Sequence, residues 1–137
     1  DVALAKKNHA ALVYMGHGNE FYSTGVYIEF QQALRQMYPD TKIFVGTVEG
    51  YPSLDNIVSA LTHMRIKKVL LKPFMIVSGD HARNDMAGDE DDSWKKIIES
   101  KGIKVIPVIQ GLGENARVAK IFIQHIKDVA GDNQIGL

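Results

Sequence analysis

Apolar positions recur along the 137-residue chain in two alternating rhythms. Dense short runs fall at Ala10–Met15, Lys42–Val48, Val69–Val77 and Ile103–Ile109. Runs of this length, rich in Val, Ile and Leu, predict strands buried on both faces. Between them, apolar residues stand three and four apart. Val26, Phe30, Ala33, Leu34 and Met37 do so in one stretch, and Leu54, Ile57, Val58 and Leu61 in the next. Val118, Ile121, Phe122, Ile126 and Val129 repeat the pattern near the end. Each set predicts a helix with one inward apolar face. A further helix is expected over Trp94–Lys101. Asp89–Asp92 and Ser93 precede it, where acidic groups suit the helix dipole, and Gly102 is placed to close it.

The punctuation agrees with this division. Ser23 or Thr24 is placed to cap the first of these helices, Pro39-Asp40 ends it, and Pro52-Ser53 opens the next. Arg65–Lys68 reads as a turn, and the tail after Gly131 as frayed. Proline cannot donate to a strand ladder. Pro73 therefore predicts a bulge or break in the third strand, and Pro107 an edge position for the fourth. Strict alternation of strand and helix predicts a three-layer α/β/α fold with a parallel sheet and right-handed crossovers. Four strands fit a flavodoxin-like order, 2-1-3-4, in a single domain over residues 1–137.

Composition narrows the function. Sixteen basic and sixteen acidic residues cancel, which removes any polyelectrolyte argument for nucleic acid or an anionic membrane surface. No apolar run is long enough to span a bilayer, and no signal peptide opens the sequence, so a cytoplasmic protein is expected. The chain begins Asp-Val-Ala without a methionine, as a processed, trimmed or partial chain would. There is no cysteine, which leaves histidine and carboxylates as the strong metal ligands.

The strand order brings candidate ligands together. It places strand 1 between strands 2 and 3, and neighbouring strands lie ~4.8 Å apart. Glu49, His17 and His81 follow the C-terminal ends of strands 2, 1 and 3. They would line one edge within roughly 10 Å, the edge at which open α/β sheets bind ligands. Two imidazoles and a carboxylate suit Co²⁺, Fe²⁺, Ni²⁺ or Zn²⁺, and three protein ligands leave coordination positions open. Blander roles stay open for each: a turn histidine at His17, a loop hydrogen bond at His81, a turn cap at Glu49. His9, His63 and His125 read as surface residues. The Gly16-His17-Gly18-Asn19 segment matches neither a dinucleotide nor a P-loop pattern. It also lacks the Ser/Thr-rich phosphate grip of a flavin-binding flavodoxin. Backbone N–H groups of Gly111 and Gly113 are candidates to receive a carboxylate. The acidic run 89–92 reads as a solvated helix start, with an outer metal-collecting patch as the alternative.

Four blocks carry a family resemblance: MGHG at Met15–Gly18, VEGYP at Val48–Pro52, GDHARNDMAGDEDDSW at Gly79–Trp94 and GLGEN at Gly111–Asn115. Together they resemble the anaerobic cobalt chelatases of the CbiK type, class II chelatases that share a fold with ferrochelatase. The resemblance spans almost the whole chain. It implies a lyase-type sirohydrochlorin cobaltochelatase that inserts Co²⁺ into sirohydrochlorin or precorrin-2, without an organic cofactor, on the way to cobalamin. By that resemblance His17 and His81 hold the metal and carry the catalysis, with Glu49 as carboxylate ligand and His17 the preferred base. Arg83, Gly111 and Gly113 would meet the carboxylates of the tetrapyrrole. Full-length members have two α/β domains facing each other across a cleft, whereas short CbiX-type relatives dimerise. The chain is similar to the C-terminal domain alone, so either a missing N-terminal domain or a second copy is expected as the other wall. A non-catalytic metal- or tetrapyrrole-binding module using the same half-site is the alternative.

Overall fold

The computed structural model describes residues 1–21 and 25–132. The expected caps Ser23 and Thr24, and the tail beyond Asp132, lie outside the described residues. Helix α1 (Val2–Lys7) comes first, followed by β1 (Ala11–Gly18), α2 (Gly25–Met37), β2 (Ile43–Glu49), α3 (Leu54–His63) and β3 (Lys68–Pro73). A π-helical turn (His81–Met86), α4 (Trp94–Glu99), β4 (Lys104–Pro107), a 3-10 turn (Leu112–Glu114) and α5 (Ala116–Asp132) complete the order. The four strands form one parallel sheet in the order β2-β1-β3-β4. This is the expected topology.

Strand side chains alternate between two cores. Val13 and Met15 of β1 pack with Phe44, Leu71, Ile57, Leu61, Met86, Trp94 and Ile98 on one face. Leu12 and Tyr14 pack with Val45, Leu70, Ala5, Phe30 and Leu34 on the other. Thus α3, the π turn and α4 cover one side, and α1 and α2 the other. Burial of Tyr14 pushes its phenol up to about 12. Its hydroxyl donates to the Asp1 carboxylate, which also pairs with the buried Lys72 ammonium at 2.7 Å.

Five expectations change. The segment 2–7, to which no element was assigned, is a short helix that buries Ala5. The third strand ends at the break expected at Pro73, which has no N–H to continue the ladder, so Ile76 and Val77, read as its last residues, fall outside it and are exposed. The loop holding His81 is a π-helical turn. In α2, Phe30 and Leu34 reach the core but Val26, Ala33 and Met37 are exposed. Helix α5 turns its apolar stripe outward: Ile121, Phe122, Ile126 and Val129 are all about half exposed. It packs on the 3-10 turn, and the sheet face it would otherwise cover is already taken by α1.

Candidate metal centre

The end of β1 is shaped by two glycines. A Cβ on Gly16 would run into the Tyr27 ring, and one on Gly18 into the Glu49 carbonyl oxygen. Gly18 also has φ +78°, which disfavours any other residue. Helix α2 and strand β2 therefore close tightly on the strand end, and Tyr27 Oη accepts the Gly18 N–H at 3.1 Å. His17 is the exposed side chain between them. Its Nδ1 lies 3.2 Å from the Gly18 carbonyl. A carbonyl only accepts, so Nδ1 carries the proton in this bond and Nε2 is free to bind.

His81 opens the π-helical turn, a rare form of helix that is frequent at functional sites. The turn is anchored by Ala82 and Met86, both fully buried. His81 Nδ1 pairs with the Asp85 carboxylate four residues on. As in carboxylate–histidine–metal arrangements, that pairing fixes the tautomer and leaves Nε2 open. Asp85 is the partner of His81 that sequence reasoning missed. Its signal was the i, i+4 spacing from His81, which also suits a bonded pair on a helical turn.

The two imidazoles meet. Their centroids lie 4.9 Å apart with the rings at 84°. With metal–nitrogen bonds of about 2.0–2.1 Å, an ion bound by both Nε2 atoms would sit ~3.2 Å from each centroid and subtend about 100°. That lies between octahedral and tetrahedral angles. Glu49 stands apart from the pair. It neighbours Gly18 in the β1–β2 register, but strand alternation carries it on the face of Val45 and Thr47, whereas His17 continues that of Val13 and Met15. Among the described residues no three His or carboxylate groups gather closely enough for one ion. Convergence at the strand ends thus holds for the two histidines and does not extend to the carboxylate.

The remaining candidates divide. Arg83 is exposed and forms no ion pair with its acidic neighbours: Asp80 accepts from Asn84 Nδ2 at 2.6 Å, and Asp85 takes His81. The glycines of the GLGEN loop have a different role from the one expected. The Gly111 N–H donates to the Glu114 carboxylate at 2.8 Å, and the Gly113 N–H to the Ile76 carbonyl at 2.8 Å. Both donors are engaged within the chain, and a Cβ at either position would strike the backbone at Ile76–Ser78. The bond from Gly111, then that from Ser78 Oγ, holds the Glu114 carboxyl below its ordinary value. The loop's own acid occupies the place proposed for a ligand carboxylate. His9, His63 and His125 are exposed, as expected, and so is the acidic run, where Asp89 pairs with Lys95 at 2.9 Å.

Fold and rim together define a chelatase-like α/β unit. A solved CbiX protein of cobalamin (vitamin B12) biosynthesis from Marinobacter aquaeolei has the same fold, with a TM-score of 0.61 at 17% identity, over 90% of this chain and 98% of that one. The family model for cobalt chelatase (CbiK) matches residues 1–131, and the chain belongs to that family. The sirohydrochlorin cobaltochelatase of Salmonella typhimurium is 38% identical over 116 residues, 84% of this chain and 43% of that protein. The sirohydrochlorin cobaltochelatase CbiKC of Nitratidesulfovibrio vulgaris is 34% identical over 121 residues, 88% of this chain and 42% of that protein. The chain therefore spans about two fifths of the length of the curated relatives it matches. Among the described residues no helix is long and apolar enough to cross a membrane.

Proposed function

We propose that this chain supplies the metal-delivering wall of a cytoplasmic sirohydrochlorin cobaltochelatase, with Co²⁺ as substrate. The observation that carries the reading is the His17–His81 ring contact at 4.9 Å on the C-terminal rim of the sheet. Each ring is held through Nδ1 and offers Nε2, which suits an ion bound firmly enough to be captured and with positions left open for transfer. Insertion exchanges two pyrrole N–H protons for metal–nitrogen bonds. As the metal leaves, His17 takes one proton at Nε2 and the other passes to solvent. Arg83, with no acidic partner in its own turn, meets a substrate carboxylate. Gly111 and Gly113 shape the rim by letting their loop lie against the Ile76–Ser78 backbone. Fe²⁺ and Ni²⁺ suit the same nitrogen donors, so supply as well as affinity decides the ion used.

The other wall of the cleft is a second α/β unit, from the same polypeptide or a second copy of the chain. The apolar stripe of α5 and the exposed Ile76 and Val77 support this reading, because contiguous apolar surface marks interfaces. Sedimentation with and without sirohydrochlorin tests the second-copy form, which predicts a twofold mass. An unchanged monomer that still inserts cobalt would contradict the need for a second wall. The function itself is tested with Asp85→Asn. Loss of the carboxylate lowers cobalt affinity roughly 10–100-fold, as for other outer partners of metal-bound histidines. The absorbance change of sirohydrochlorin on metallation slows accordingly. Tight cobalt binding with no rate above the spontaneous one would favour the non-catalytic binding module.

A further inference from the structure

His17 stands between two glycines, and one side chain of α2 lies across both of them. The Tyr27 ring fills the space that a Cβ on Gly16 would need. The Tyr27 hydroxyl oxygen accepts the Gly18 N–H at 3.1 Å. Strand side chains alternate between faces, so Tyr27 packs on the side of the β1 tip away from His17, with Leu12 and Tyr14. Tyr27 therefore backs the ligand from behind, at the residue before it and the residue after it.

The helix supplies this residue at the end of its inward stripe. Tyr27, Phe30 and Leu34 stand three and four apart and pack on the same core. Phenylalanine would fill that core at position 27 as it does at position 30. The hydroxyl is the part that reaches the rim. A tyrosine packed among apolar groups uses its hydroxyl in a hydrogen bond, and here that bond goes to the residue next to a ligand. The Tyr27 ring also meets Phe74, the first residue beyond β3, edge-on at 6.2 Å. Phe74 stacks on Phe30 at 4.1 Å and donates its N–H to the Met15 carbonyl at 2.8 Å. Tyr27 thus touches the β1 tip and the start of the segment that leads to His81.

Gly18 in turn acts on His17. Its carbonyl lies 3.2 Å from His17 Nδ1 and takes the ring proton. His81 has a carboxylate for that task, in Asp85. His17 has a backbone carbonyl, which is only as well placed as the glycine that carries it. Glycine has more backbone freedom than any other residue, so a glycine at a strand tip keeps one conformation only when its surroundings hold it. We infer that Tyr27 is a positioning residue of the metal centre: its hydroxyl holds Gly18, and the Gly18 carbonyl keeps the His17 proton on Nδ1 and leaves Nε2 for the ion.

The inference rests on the proposed two-histidine site, and its test is read first without metal. Tyr27→Phe removes the hydroxyl and keeps the ring. Nitrogen NMR of the imidazoles, well above their ordinary pKa of about 6.5, reports which nitrogen of each ring carries the proton. In the parent both His17 and His81 should carry it on Nδ1. In Tyr27→Phe the His17 population should move toward protonated Nε2, while His81, held by Asp85, stays as in the parent. Cobalt affinity by calorimetry should fall about tenfold, the low end of the range for outer partners of metal-bound histidines. Phe30→Leu thins the same aromatic cluster without touching either glycine. It should lower Tm and leave both the His17 proton and cobalt affinity at parent values, which separates positioning from loss of packing. A parent-like His17 proton in Tyr27→Phe, or an equal loss of cobalt affinity in Phe30→Leu, would overturn the inference. If His17→Ala abolishes cobalt binding while Tyr27→Phe matches the parent, only the role of Tyr27 fails. If His17→Ala binds cobalt as the parent does, the two-histidine site fails, and the role of Tyr27 with it.

Discussion

His17→Ala and His81→Ala should each lower cobalt affinity and the rate of insertion into sirohydrochlorin by at least about a hundredfold, because removing even an outer partner of a metal-bound histidine costs roughly 10–100-fold. The two substitutions should differ in stability. His17 is exposed at a strand tip, so its loss should leave Tm close to that of the parent. His81 forms the Asp85 pair within the π-helical turn, and its loss frees the carboxylate and loosens that turn. The double variant should lose less than the product of the two single losses, because one remaining imidazole is not a chelate. Calorimetry with Co²⁺ and thermal melts of the three variants check both points. Loss of one bound ion in each single variant, with the other ion held at parent affinity, would mean that the rings act on different ions.

Gly18→Ala should be the most damaging substitution at the rim outside the ligands. An added Cβ meets two obstacles. The backbone stands at φ +78°, and the Glu49 carbonyl occupies the space the methyl would need. The first costs about 1–2 kcal/mol, and forcing atoms into a packed position typically about 1–3 kcal/mol more. No rotamer relieves it, because the obstruction is backbone. The expected result is a loss of roughly 2–5 kcal/mol in urea unfolding, with cobalt affinity falling as His17 moves off its register. Gly16→Ala is milder, since it presses on the Tyr27 side chain, which has room to move only by releasing the Gly18 N–H. Wild-type stability in Gly18→Ala would show that the strand end is looser than its contacts imply.

These two substitutions also mark how far the amino-acid pattern reached. Alternating apolar runs and helical stripes were enough for the sheet order, because every strand and its following helix carry unambiguous periodicity. Pro73 was enough for the end of β3. The face of each rim residue required more. Counting strand ends puts His17, Glu49 and His81 at one edge, but a period of two separates Glu49 from His17 by sheet face, and that parity depends on the register Gly18↔Glu49. The π-helical turn has no periodicity of its own over six residues, so the His81–Asp85 pair was legible only as a spacing. The outward stripe of α5 repeats a different lesson. Helical spacing shows that an apolar face exists, and says nothing about which surface covers it. The glycines of GLGEN were read for their donors, when the close approach of Ile76–Ser78 explains them.

Co²⁺ X-ray absorption of the loaded protein tests the central claim most directly. Two imidazoles per cobalt in the parent, falling to one in His17→Ala and one in His81→Ala, is the predicted outcome. A spectrum with one imidazole or none in the parent, or one that either substitution leaves unchanged, would contradict it.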